Sequence, residues 1–417
     1  GVVGMVATAG AAGFDQLIGF DMGGTSTDVA LIENGVPKIR RETLVGDIVI
    51  RASSLDVRSV GAGGGSIAHV PELTNALRVG PDSAGAQPGP AAYGKGGEAP
   101  TVTDANLVLG RLPVTLADNV ELDVKLAENS VEKIGNALGL SVKRAAAGII
   151  DIVNENMFGA LRLVSVQQGY DPRDFALIAF GGAGPLHANA LAKLMSSWPV
   201  IIPPSPGVLC AYGDATTRLR NEATQTFIRR FSETTNEEIE NILQTLADRA
   251  KRILDQDGVD RADQSIQFEI DVRYQGQGLI LTMSVDISSL SASGKSLLDN
   301  VRLEFDEQHT QMFTFALPAE PEVVNLRAIA IGPDAEIGIP SIKTGDADPS
   351  DAEVGKTSIF VDNADQEAMV YDRVRLLAGN RIVGPALVTE LDSTTLILPG
   401  HVGEVDSFGN IIINPVA

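Results

Sequence analysis

The chain of 417 residues is long enough for two or three domains, and its 44% hydrophobic and 21% charged residues suit a globular protein rather than a disordered one. Against 54 Asp and Glu there are only 32 Lys and Arg, and the net charge of -22 excludes a nucleic-acid footprint and an anionic membrane surface. Any phosphate must therefore be met by backbone amides, helix N-termini and a metal.

A single cysteine, Cys210, excludes an intrachain disulfide framework and a multi-cysteine zinc site, and its apolar neighbours Val208, Leu209 and Ala211 predict a buried thiol. The four histidines, His69, His187, His309 and His401, are too scattered to suggest a metal site. No signal peptide or apolar span of about 20 residues is visible, so a cytoplasmic protein is expected.

Residues 1–13 read as a helix of small residues. The strand 17–20 runs into Asp21-Met22-Gly23-Gly24-Thr25, the strand 27–32 follows, and Asn34-Gly35 suits a tight primed turn. Two glycine-rich stretches, 61–66 and 80–97, read as ordered loops. Ala147, Ile150, Val153, Met157, Leu161 and Val164 recur at three- and four-residue steps, which predicts one long helix over 141–169. A strand over 175–180 enters Gly181-Gly182-Ala183-Gly184-Pro185, and a helix follows over 186–195. Beyond 216 the glycine density falls; 237–254 reads as a charged amphipathic helix and 266–286 as antiparallel strands. Short β runs between Pro, Asp and Gly turns follow from 341. The expected organisation is an α/β domain over 1–215, an α+β domain over 216–340 and a small β-rich domain over 341–417.

The densest chemical signal is the run Asp21 to Asp28. Gly23 and Gly24 let the backbone turn tightly against a phosphate, and Thr25, Ser26 and Thr27 add hydroxyls. Asp21, at a strand end, is placed to organise Mg2+, and Asp28 is a second candidate catalytic carboxylate. The turn Gly181, Gly182, Ala183 and Gly184 opens a helix on bare backbone, where a nucleotide ring can lie. A phosphate hairpin, then connecting helices, then an adenosine loop is the order found in actin-like (ribonuclease H-like) ATPase domains.

Beyond these motifs the chain resembles the hydantoinase A/5-oxoprolinase family. The resemblance is carried by the hairpin, 60–68, 79–90, 103–106, 181–185, Pro204-Ser205-Pro206-Gly207, 273–277, Gly384-Pro385 and Pro399-Gly400. It implies a subunit of an ATP-dependent amidohydrolase that opens a cyclic amide, of hydantoin or 5-oxoproline type, by phosphorylating the carbonyl oxygen. ATP and Mg2+ are the implied cofactors and a hydantoinase B-like subunit or domain the implied partner. It also implies an earlier Asp-Gly-Gly-Thr phosphate loop ahead of Gly1, so that this chain is expected to be a fragment, inactive in isolation.

Gly64, Gly65, Ser66, Asp82, Ser83 and Asp104 are candidate substrate residues, although Asp104 also suits a helix cap. His69 reads as a surface residue, His187 as packing beside the adenosine loop, and His309 matches a family position. Related enzymes imply an alternative, the ATP-binding subunit of an acetone or acetophenone carboxylase. A non-catalytic nucleotide-binding module or an actin-like kinase or ATPase regulator is a further alternative, but neither glycine loop resembles the sugar loop, with its base aspartate, that a sugar kinase needs.

Overall fold

The computed structural model describes every residue except 42, 51–52, 117–119, 288–295, 334–337 and 417. The chain forms two compact units with a mixed α/β fold, one built from Gly1–Ala215 with Gly338–Ala417, the other from Thr216–Ile337.

In the first unit, Leu17–Met22 runs parallel to Ala176–Phe180, which is parallel to Val200–Ile202. Thr27–Glu33 returns antiparallel to Leu17–Met22. Asn34 and Gly35 then take φ of 53° and 72°, the left-handed pair of a primed turn. These strands belong to a nine-stranded sheet among the described residues. All five residues of Ala176–Phe180 are buried, as a strand covered on both faces requires.

On one face, Val2, Met5 and Ala9 of the helix Val2–Ala11 pack on Leu17, Ile32 and Ile178. On the other, the helices Val142–Val164 and Gly184–Met195 cover Ile18, Phe20, Leu31 and Leu177. The side chain of Ser141 caps Val142–Val164, a contact worth about 1 kcal/mol. This helix ends five positions before the expected 169, because Ser165 leaves helical geometry at φ -115° and ψ -87° and a 3-10 turn, Val166–Gln168, takes over.

The C-terminal segment departs from the expected separate β domain. Ile411–Pro415 pairs antiparallel with Val200–Ile202, and His401–Val405 and Arg381–Val383 extend the same sheet. Val200–Ile202 would otherwise leave a buried apolar strand with one unpaired edge; Ile411 and Ile413 satisfy it and are themselves fully buried. The remaining tail strands, Glu353–Val361, Ala364–Asp372, Ala386–Thr389 and Thr394–Ile397, form a four-stranded sheet in the same unit.

The second unit is a four-stranded antiparallel sheet in the order Arg220–Arg230, Pro321–Ile331, Ser265–Tyr274, Leu281–Val285. The helices Asn236–Gln256 and Leu297–Phe313 share a core with Ile270, Leu326 and Ala328. Alternation puts Arg327 on the opposite face, where it binds Glu269 at 2.8 Å and Asp271 at 3.1 Å. His309, 1% exposed, packs with Tyr274, Phe305 and Phe313 and donates from Nδ1 to the Phe315 carbonyl. Within this unit it is a core residue.

Candidate functional site

Three parallel strands end at one edge of the first unit's sheet, and their C-terminal turns are Gly23-Gly24, Gly181-Gly182-Ala183 and Ser205-Pro206-Gly207. Crevices at the carboxyl ends of such strands are where open α/β sheets bind ligands. Ala183 N–H donates to the Met22 carbonyl at 2.9 Å, tying the second turn to the first. The loop 61–66 folds against the hairpin: Gly64 N–H donates to Gly23 O at 3.0 Å and Gly65 N–H to Gly24 O at 2.6 Å.

The glycines here divide by what demands them. A Cβ on Gly63 would lie 2.6 Å from the Thr25 backbone, one on Gly65 2.9 Å from Gly24 O, and one on Gly181 2.3 Å from Asp21 Oδ1. Those three are required by close approach. Gly24 has nothing within 4 Å of its missing Cβ, Gly23 has only Ser26 O at 4.0 Å, and neither has a positive φ. Neither packing nor backbone conformation requires glycine at 23 or 24.

A cleft of about 1000 Å³ opens over this edge. Gly23, Gly24 and Gly64 border it with Gly182 and Ala183, and Thr103 and Asn106 from the helix Val102–Val108 add polar groups. Tyr93, Leu112 and Leu186 add to the lining, and the tail contributes Asp372, Glu390, Asp392 and Ser393, with Val354, Val370 and Val374 as apolar groups.

The other expected site residues are distributed differently. Thr25 and Ser26 are exposed at the hairpin tip, but Thr27 is fully buried and donates its hydroxyl to Ala62 O at 2.5 Å. Thr27 therefore anchors the glycine loop and has no hydroxyl to offer a phosphate. Ser66 is fully buried, its Oγ accepting from Gly63 N–H at 2.8 Å. Asp104 is also fully buried; it closes a capping box with Thr101 and accepts from the amides of Ala91 and Ala92. Burial pushes its carboxyl up, and the hydrogen bonds from Thr101, Ala92 and Ala91 oppose this. Ser66 and Asp104 are thus committed to the fold and are not substrate groups. Gly65, Asp82 and Ser83 lie outside the cleft lining; Ser83 Oγ accepts from Gly85 N–H at 3.2 Å. Gly181 and Gly184 shape the second turn without lining the cleft.

Asp21 and Asp28 are half-buried cross-strand partners on the sheet face of Leu17 and Gly19 and do not line the cleft. Asp28 accepts from Ser59 Oγ, and Asp21 Oδ2 accepts from Cys210 Sγ at 2.9 Å. Cys210 is exposed, not buried as its apolar neighbours suggest, because the helix Leu209–Thr216 turns Leu209 inward instead. Partial burial and the Asp21 carboxylate push its thiol up, so it is not an activated nucleophile.

His187 is 1% exposed; its Nδ1 pairs with Asn154 Oδ1 at 2.7 Å and its Nε2 with Asn106 Nδ2 at 3.3 Å. Burial, with Arg111 nearby, pushes its pKa down to about 3, so the ring is neutral. The neutral ring donates from Nδ1 and accepts at Nε2, which turns the Asn106 amide so that Oδ1, buried and without a partner, is its remaining acceptor. His69 is exposed, and His401 stacks on Trp198 with centroids 5.3 Å apart.

Sequence reasoning did not find Asn106, Glu390 or Asp392 as cleft residues. Glu390 Oε2 accepts from Ser205 N–H at 3.0 Å, and Oε1 stands 3.6 Å from Arg373 Nη1, too far for a hydrogen bond. Arg373 Nη2 donates to Ile202 O at 3.0 Å and Gly409 O at 2.7 Å. Burial pushes the Glu390 carboxyl up and Asp392 adds to this, with Arg373 opposing. A Cβ on Gly207 would lie 2.8 Å from Asp392 Oδ2, so the Pro-Gly turn leaves room for that side chain. The nearest available signal was Pro206-Gly207 itself, which does not name its partner.

Among the described residues no three His, Cys, Asp or Glu side chains cluster as metal ligands, and no helix is long and apolar enough to cross a membrane.

Caprolactamase subunit alpha of Pseudomonas jessenii is 35% identical, over 97% of this chain and 59% of its own length. The acetophenone carboxylase gamma subunit of Aromatoleum aromaticum is 33% identical, over 100% of this chain and 58% of its own. The crystal structure of the ATP-dependent caprolactamase from Pseudomonas jessenii superposes with a TM-score of 0.88 at 34% identity, covering 100% of this chain and 61% of that one. The chain thus spans about six-tenths of the length of these relatives. The hydantoinase/oxoprolinase family matches residues 1–223, and the C-terminal domain of the same family matches 229–409. This chain belongs to the hydantoinase/oxoprolinase family.

Proposed function

We propose that this chain is the nucleotide-handling part of an ATP-dependent hydrolase that opens a cyclic amide, and that its first unit is an actin-like domain. One observation carries the reading: Gly23 and Gly24 are bare toward the cleft although nothing in the fold requires them to be glycine. Their backbone, with the exposed hydroxyls of Thr25 and Ser26, meets the phosphates of ATP, and the turn Gly182-Ala183 at the start of the helix Gly184–Met195 receives the nucleoside.

Mg2+ fits Asp21 and Asp28. Two carboxylates directly opposite on one face repel each other, and among the described residues neither is in an ion pair. Mg2+ commonly takes one or two carboxylates, keeping water and phosphate oxygens as its other ligands. ATP would supply the activation of the amide: transfer of its terminal phosphoryl group to the carbonyl oxygen would make the carbon, a poor electrophile in the free amide, open to attack by water. The chain's own groups would position and neutralise: the backbone of Gly23 and Gly24 would meet the phosphates from the cleft, and Asp21 and Asp28, at the hairpin but outside the cleft lining, would hold the cation. A hydantoinase B-like partner subunit completes the enzyme. The similarity to a carboxylase subunit supports a second reading, in which the activated oxygen belongs to a ketone.

The test is ATP consumption by the whole protein with its partner subunit, offered 5-oxoproline, hydantoin, ε-caprolactam or acetone with bicarbonate. Amide-dependent ATP hydrolysis with ring-opened product supports the first reading, and ketone- and bicarbonate-dependent hydrolysis the second. Turnover indifferent to ATP overturns both.

A further inference from the structure

The cleft is chemically polarised. At the hairpin and at the start of the helix Gly184–Met195 it presents bare backbone, which suits an anion. Elsewhere in its lining the side-chain atoms left without a hydrogen bond are acceptors: Asn106 Oδ1 and Asp392 Oδ2 have none, and Glu390 Oε1 has only the Arg373 guanidinium 3.6 Å away. They come from two distant parts of the chain, Asn106 being 2% exposed and the Glu390 side chain 6%. Buried polar atoms are rarely left unsatisfied, and acceptors that border a cleft can be met there by the donors of a ligand. Acceptors on the wall require donors on the ligand.

We propose that the turn 389–394 of the C-terminal segment reads the sugar of the bound nucleotide, with the Asp392 and Glu390 carboxylates accepting hydrogen bonds from its ribose hydroxyls. The proposal rests on the nucleotide reading above and adds which element selects the ligand. Placement favours the sugar over a hydroxyl of the amide substrate. Ser393 Oγ donates to Gly182 O at 3.2 Å, so the turn is fastened to the loop assigned to the nucleoside. Asp392 is fitted over Gly207 at the end of Val200–Ile202, on the same strand edge as Gly23 and Gly24. Arg373 fixes the turn from behind through Ile202 O, Gly409 O and Glu390, and is a positioning residue. A vicinal diol offers two donors to a carboxylate, the arrangement by which acidic side chains commonly hold ribose.

The test compares binding of ATP, 2′,3′-dideoxy-ATP and inorganic tripolyphosphate to the protein by calorimetry. Wild type is expected to prefer ATP over the dideoxy analogue about tenfold or more, as loss of hydrogen bonds to a charged group implies. Asp392→Asn should erase most of that preference and leave tripolyphosphate binding unchanged. Equal wild-type affinity for ATP and the dideoxy analogue overturns the proposal while tripolyphosphate binding keeps the phosphate site; it is also the result expected if the turn reads a substrate hydroxyl. Binding of none of the three overturns the nucleotide reading itself. Should Asp392→Asn fail to fold, the wild-type ratio alone decides; a folded variant that keeps the full preference removes Asp392 from the assignment.

Discussion

Asp21 and Asp28 stand directly opposite one another across the antiparallel hairpin, on the face shared with Leu17 and Gly19. Like charges so placed destabilise a sheet by a few tenths of a kcal/mol to about 1 kcal/mol. Asp21→Asn is therefore expected to keep or slightly raise the melting temperature, while turnover by the whole enzyme falls on the order of 10²-fold or more through loss of the metal-organising charge. Melting curves and ATP-dependent turnover measured on the same variant check both halves. A lowered melting temperature with retained turnover would make Asp21 a structural residue.

Two glycines on facing loops should respond oppositely to the same substitution. Gly63→Ala places a Cβ 2.6 Å from the Thr25 backbone and is expected to cost about 1–3 kcal/mol of stability. Gly24→Ala enters open space at a compatible φ and should change stability by no more than about 0.5 kcal/mol, yet weaken ATP binding. Denaturant titration and calorimetry on the pair check this, and normal ATP affinity in Gly24→Ala would argue against phosphate contact at the hairpin.

His187 makes stability pH-dependent. Its native pKa of about 3 lies below the ordinary 6.5, so between these values the unfolded chain binds a proton that the native ring refuses. Stability is intact above pH 6.5 and falls as the pH drops, by up to about 1.4 kcal/mol per pH unit from this residue. His187→Gln should lose that part of the slope between pH 6.5 and 4.5 in denaturant titrations. An unchanged slope would assign it to other groups.

In the second unit, Arg327 is 4% exposed and paired with Glu269, Asp271 and, through Nε, Glu222. Arg327→Met removes the partner of the buried Asp271 carboxylate and of those of Glu269 and Glu222, and is expected to cost about 3–5 kcal/mol. Adding Glu269→Gln and Asp271→Asn should recover most of the loss. Equal instability of the single and triple variants would show that packing of the arginine stem, not its charge, is what matters.

The chemical run 21–28, the turn at 181–185 and the helices around 150 and 245 were legible in the chain itself, because periodicity and turn residues act over a few positions. Their ends were less so: Ser165 closes the long helix through a local change of backbone that apolar spacing does not register. Which hydroxyls and carboxylates face a ligand was not legible at all. Thr27, Ser66 and Asp104 have the right chemistry, but the loop 61–66 and the turn at Ala91–Tyr93 fold onto them and consume their hydrogen bonds. Glu390 and Asp392 lie some two hundred positions beyond the turn at 181–185 and farther still from Gly23 and Gly24, in a C-terminal segment that folds back into the same unit, where Ile411–Pro415 pairs with Val200–Ile202. Local pattern set the strands, helices and glycine turns. Long-range strand pairing, driven by burial of an apolar edge and visible only in three dimensions, decided which polar groups were left to meet a ligand.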